Sequence, residues 1–221
     1  MLRVIPRLHV VTDDDVLTTE DFRDVAESVI QVGGSVALHL RGPRTPARRL
    51  SELALALREG AAANGVKLIV NDRVDIALAR ELDGAHLGVR SLPPQSARAV
   101  LGPGPLLGAS IHGAEEAIAA ASGGVDYLFV GTLFESASHE GRPAVGPGLL
   151  GSVARHVDLP LIGIGGVTPA GVEAVLGAGG YGVAAIGGIW RAPSPADAVR
   201  DYLEALESER GVTTASGRET P

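Results

Sequence analysis

The sequence predicts a single (β/α)8 TIM barrel, an α/β fold. Three observations carry that expectation. Short β-branched runs alternate with longer Ala/Leu/Glu/Arg-rich segments along the whole chain, the pattern of repeated βα units. Hydrophobic residues make up 45 % of the 221 residues but aromatics only 3 %, so the core must be built from Ala, Val, Leu and Ile, which suit a layered barrel interior. The first turn reads Val11-Thr12-Asp13-Asp14-Asp15 without glycine, whereas a doubly wound open sheet carries its glycine fingerprint there.

The elements follow in order. Arg7–Val11 reads as the first strand and Thr19–Gln31 as its helix, with Glu20 and Asp21 at the positive end of the helix dipole. Ser35–Leu40 is the second strand, and Pro46–Ala63 the second helix, with apolar residues three and four apart. Val66–Val70 pairs with Val74–Arg80, Gly84–Leu87 with Pro94–Val100, and Leu106–Ala109 with Ala114–Ala121. Val125–Val130 and Pro147–Arg155 form the sixth unit, Pro160–Ile164 and Pro169–Leu176 the seventh, Gly182–Ile186 and Pro195–Leu206 the eighth. One domain over 1–207 results. The stretch 208–221 is polar and aperiodic and is expected to be a disordered tail.

Composition narrows the function. The net charge of −7, without a compensating basic tract, argues against nucleic acid as a partner. The absence of cysteine excludes disulfides and thiolate metal sites. The N-terminus shows no signal-peptide pattern, and no apolar run approaches the ~18 residues of a membrane span. A cytoplasmic protein with no membrane partner is expected.

In a barrel the chemistry lies on the loops after the strands. Gly163-Ile164-Gly165-Gly166 and Ile186-Gly187-Gly188-Ile189 end consecutive strands. Their glycines let a phosphate approach backbone N–H groups, with Gly165, Gly166, Gly187 and Gly188 as the contacts, although each pair can also serve only a tight turn. Asn71, at the end of strand three, can hydrogen-bond a ligand; Asp72 beside it can ligate Mg2+ or cap the next helix. Ser110 and His112 end strand five, where a histidine can shuttle a proton or serve structure. His39 and Arg41 end strand two on one side of the strand, and Arg41 can fork onto an anion or stay solvated. His9 and His86 read as satisfied buried groups. A longer loop after strand six holds Ser136 and Ser138.

Taken in order, the strand ends resemble the thiamine phosphate synthase/TenI family from about residue 7 to 206. The motifs are Leu8-His9-Val10-Val11-Thr12-Asp13, Val70-Asn71-Asp72-Arg73-Val74-Asp75, Asp83-Gly84-Ala85-His86-Leu87-Gly88, Gly108-Ala109-Ser110-Ile111-His112 with Glu115-Glu116-Ala117, Asp126-Tyr127, and Ile164-Gly165-Gly166-Val167-Thr168-Pro169. The resemblance implies the barrel and thiamine biosynthesis, and suggests a homo-oligomer. The synthases join a pyrimidine diphosphate to a thiazole phosphate with Mg2+.

Three synthase motifs depart here. Gln-x-Arg-Glu-Lys reads His39-Leu40-Arg41-Gly42-Pro43; Gly-x-x-Asp-Leu-Pro reads Gly88-Val89-Arg90-Ser91-Leu92-Pro93; Thr-x-Thr-Lys reads Ser136-Ala137-Ser138-His139. Losing two lysines and a metal ligand leaves a magnesium diphosphate poorly neutralised. The expectation drawn is therefore the TenI branch: a thiazole tautomerase, an isomerase needing no cofactor. In it His112 moves a proton between two carbons of a phosphorylated thiazole carboxylate, and Arg41 or His39 holds the carboxylate. Asn71, Ser110, Ser136 and Ser138 complete the substrate contacts. The alternatives are a synthase with an altered diphosphate site, with Asp72 on Mg2+, and a non-catalytic regulator binding thiazole or thiamine phosphates.

Overall fold

The computed structural model describes residues 4–135 and 144–215. Eight parallel strands close into one barrel: β1 (Leu8–Val11), β2 (Val36–Leu40), β3 (Lys67–Asn71), β4 (Gly84–Leu87), β5 (Leu106–Ile111), β6 (Tyr127–Val130), β7 (Leu161–Ile164) and β8 (Gly182–Ala185), with β1 paired to both β2 and β8. Ten α-helices among the described residues follow them: α1 (Asp14–Thr18), α2 (Phe22–Val32), α3 (Ala47–Ala63), α4 (Val74–Ala79), α5 (Pro94–Leu101), α6 (Ala114–Ser122), α7 (Gly148–Ala154), α8 (Val172–Gly177), α9 (Gly187–Trp190) and α10 (Pro195–Ala215).

The strands read as apolar runs because both faces are buried. Alternation sorts their side chains into two cores. Leu8, Val10, Val36, Leu38, Leu40, Leu68 and Val70 meet the helices, whereas Val11, Ala37, Ile69, Tyr127, Phe129, Ile162 and Ala184 fill the barrel. Two aspartates pin the register at the strand starts. Asp83, before β4, accepts from Leu68 N at 2.9 Å, and Asp126, before β6, accepts from Leu107 N at 2.8 Å. Asp126 also takes a charge-assisted bond from Arg98 at 2.6 Å.

Four expectations need adjustment. The first helix starts only at Phe22, as α2, and an unexpected α1 precedes it, capped by the Asp13 carboxylate, which accepts from Val16 N at 2.9 Å. α9 occupies what reads as a plain glycine loop. β5 runs two residues further than its apolar stretch, through Ser110 to Ile111. α10 continues through Ala215, past the start of the expected tail, and residues 216–221 lie outside the described residues.

Candidate functional site

At the C-terminal mouth of the barrel a cavity of about 100 Å3 is lined by residues from the ends of every strand but β4, among them Arg41, Asn71, Ser110, His112, Ile164 and Ile186. A second cavity of about 400 Å3 opens beside it between the loop after β4 and α6. It shares Ser110 and Ile111 with the first and adds Gly88 and Ser91. The two together form one divided site at the strand ends, where barrel chemistry is expected.

Arg41 enters this mouth on the loop after β2. Its backbone is fixed by Thr12, whose hydroxyl accepts from Arg41 N at 2.8 Å and donates to Arg41 O at 2.9 Å. The loop is tied further by Asp14, which accepts from Arg44 N at 2.9 Å and from the Thr45 hydroxyl at 2.8 Å. These bonds hold the Asp14 carboxyl below its ordinary range although burial opposes them. Among the described residues no carboxylate pairs with the Arg41 guanidinium, and its charge helps to depress the pKa of His86 inside the barrel.

Asp72 stands in the left-handed region at φ 63°, sparsely populated for a non-glycine residue. Its Oδ1 accepts from Gly88 N at 2.8 Å and from the Ser91 hydroxyl. Position 91, read as a lost metal ligand, thus still places a hydroxyl against the Asp72 carboxylate. Asp72 does not cap α4; Arg73 is at the cap position.

The glycine turns are tight for a packing reason. Gly165 and Gly166 have φ of 96° and 64°, and a Cβ at Gly166 would lie 2.2 Å from Glu135 O. A Cβ at Gly188 would lie 2.4 Å from the Tyr202 hydroxyl. At α9 the first N–H groups lack intrahelical acceptors, as at any helix start, so Gly187 and Gly188 offer donors beside the mouth. Arg191, at the end of α9, was not foreseen. It lies against Gly187 and 3.6 Å from Asp13.

His112 is well exposed; the Glu116 carboxylate accepts from its backbone N at 2.7 Å and lies 3.4 Å from Nδ1. His39 departs from expectation. It is fully buried, with Nε2 2.9 Å from His9 Nδ1 and Nδ1 3.1 Å from Asn71, so it supports the floor of the site and does not reach ligand itself. Burial pushes its pKa down to about 4, and pushes those of His9 and His86 well below the usual imidazole value. Ser136 and Ser138, and the departing His139, lie outside the described residues.

Residues 8–189 match the family model described as thiamine monophosphate synthase. The chain belongs to the thiamine phosphate synthase/TenI family. It is 40 % identical over 194 residues to the thiamine-phosphate synthase of Roseiflexus castenholzii, covering 87 % of this chain and 85 % of that one. With the thiamine-phosphate synthase of Moorella thermoacetica it shares 41 % over 181 residues, 81 % of this chain and 86 % of the other. The solved thiamine phosphate pyrophosphorylase of Pyrococcus furiosus superposes with a TM-score of 0.80 at 28 % identity, covering 94 % of this chain and 98 % of its own.

These relatives overturn the isomerase expectation. These relatives carry the name of a synthase, a transferase, so the tautomerase reading and the proton-transfer role it gave His112 are withdrawn. Ser91 still supplies an oxygen at Asp72, and Arg41 still places a cation at the mouth.

Proposed function

We propose that this protein is a thiamine phosphate synthase, joining a pyrimidine carried as its diphosphate ester to a thiazole phosphate. The observation that carries the reading is the grouping of Arg41, Asn71, Ser110 and Gly165 around one cavity and of Ser91, bonded to Asp72, at the next, in a chain whose relatives at 36–41 % identity bear that name.

The reaction breaks the C–O bond between the pyrimidine methylene and diphosphate, and the electron pair leaves with the diphosphate. The thiazole ring nitrogen supplies the lone pair for the new C–N bond. That nitrogen bears no proton, so coupling needs no general base. What the protein must supply is orientation and neutralisation of the leaving charge. Arg41 serves the second need, with a guanidinium that matches phosphate oxygens in pairs.

The family implies Mg2+, and the residues present fit it in a limited way. Among the described residues no three His, Cys, Asp or Glu gather as a cage. Mg2+ does not require one, since one or two carboxylates with substrate phosphates and waters suffice. Asp72 and the Ser91 hydroxyl are the donors that would hold it. When bound, it offsets charge developing on the leaving diphosphate. The thiazole phosphate is assigned to the backbone donors of the turns after β7 and β8.

Incubating purified protein with the pyrimidine diphosphate, thiazole phosphate and Mg2+ tests this. Thiamine phosphate formation that disappears with a chelator is the expected result. Absence of product with both substrates saturating overturns the proposal.

A further inference from the structure

The floor of the cavity is built from two hydrogen-bonded chains whose proton positions are dictated from below. The first runs from Pro6 O to His9 Nε2 at 3.0 Å, from His9 Nδ1 to His39 Nε2 at 2.9 Å, and from His39 Nδ1 to the Asn71 carboxamide at 3.1 Å. A carbonyl only accepts, so His9 Nε2 carries a proton. Burial keeps the ring neutral, so His9 Nδ1 is bare and His39 Nε2 donates to it. His39 is neutral for the same reason, which leaves its Nδ1 bare as well.

A bare nitrogen needs a donor, yet Asn71 presents Oδ1 to it. Two acceptors cannot bond. The carboxamide resolves the conflict by a half-turn about its last bond, which brings Nδ2 to His39 and sends Oδ1 the other way. Among the described residues every fully buried side-chain nitrogen or oxygen has a partner, and the far end of this carboxamide makes no bond to protein, so that end reaches the cavity Asn71 lines.

The second chain runs from Tyr127 OH to His86 Nδ1 at 3.3 Å and from His86 Nε2 to Ser110 Oγ at 2.9 Å. Tyr127 is fully buried, and its phenol proton is satisfied by His86 Nδ1. His86 Nε2 therefore donates to Ser110 Oγ, which frees the serine proton for the cavity. The backbone is shaped for this chain: a Cβ at Gly108 would fall 2.2 Å from Tyr127 Cζ and 2.6 Å from His86 Nδ1.

We infer that His9 and His39 on one side, and Tyr127 and His86 on the other, are positioning residues that set Asn71 as a hydrogen-bond acceptor and Ser110 as a donor at the cavity floor. A floor with this polarity takes a flat heteroaromatic ring bearing an amino group next to a bare ring nitrogen. Phosphate offers only acceptors and meets repulsion at Asn71 Oδ1. Resting on the synthase reading, the inference assigns the floor to the aminopyrimidine ring and not to its diphosphate.

Histidine-selective 15N NMR of the wild-type protein at pH 7.5 tests the relay without any turnover. All three imidazoles are expected neutral and protonated on Nε2. A proton on Nδ1 of His39 or His86, or an imidazolium at either, overturns the inference. Titration with the aminopyrimidine diphosphate should shift the His39 Nδ1 and His86 Nε2 resonances, and inorganic diphosphate should not; equal shifts from both also overturn it. His9→Phe releases the His39 tautomer, so KM for the pyrimidine diphosphate should rise about tenfold, the effect of one misoriented polar contact, with kcat within about twofold. An unchanged KM with a changed kcat refutes the positioning role. If His9→Phe does not fold, the wild-type spectra decide. If no thiamine phosphate forms at all, the synthase reading fails while the tautomers still decide the relay.

Discussion

The Tyr202 hydroxyl donates to Val167 O at 2.6 Å and occupies the space a side chain at Gly188 would need. One phenol from α10 thereby fixes the turn after β7 against α9, the two backbone segments assigned to the thiazole phosphate. Burial raises its pKa to about 12, so it stays a donor at any working pH. Tyr202→Phe should cost about 1 kcal/mol, the net worth of one hydrogen bond, in urea unfolding. It should also raise KM for the thiazole phosphate several-fold. Lower stability with an unchanged KM would confine Tyr202 to packing.

Arg41→Ala should weaken the pyrimidine diphosphate far more than the thiazole phosphate. A loss of about 2 kcal/mol or more in kcat/KM is expected for removing a charge-assisted contact. Equal effects on both substrates, or none on either, would remove Arg41 from the diphosphate subsite.

Asp72→Asn keeps a residue type that tolerates positive φ, so the fold should persist. Its activity should fall roughly 10- to 100-fold, and the Mg2+ concentration for half-maximal rate should rise, as when support to a metal site is removed. Asp72→Ala should also lose stability, because alanine accepts the left-handed backbone poorly. Unaltered Mg2+ dependence in the asparagine variant would argue against metal at this carboxylate.

The buried imidazoles make stability pH-dependent in a definite direction. His39 titrates near 4 in the folded state against 6.5 unfolded, so between these values the unfolded chain binds more protons. The stabilisation is present above pH 6.5 and fades as pH falls toward 4. His39 alone contributes up to roughly 3 kcal/mol to that loss, and His9 and His86 act in the same direction. Urea melts at pH 7.5 and 5 should show the decline, and His39→Gln should flatten it.

The eight strands were readable because each is an apolar run ended by polar or glycine residues, and closure followed from the number of units. Helices α1 and α9 were not, since elements of five and four residues carry no periodicity. Arg41, Asn71 and Ser110 were readable as strand-end polar residues. The error over His39 has a geometric origin. Alternation placed it correctly on the side of Arg41, but depth along the strand decides whether an inward side chain meets ligand or another ring, and His39 pairs in register with Val11 and Ile69 inside the barrel. Arg191 carried no signal, because its place depends on a helix the sequence did not announce.

Gly108 has a consequence for how this sequence can drift. Its missing side chain is not spare room: the volume belongs to the ring of Tyr127, from the neighbouring strand. Positions 108 and 127 therefore change as a couple. A relative that carries a larger residue at the first should have surrendered the ring at the second, and with it the hydroxyl that orients His86. Such a barrel would have to hold its Ser110 proton in place by other means or accept a ligand of different polarity.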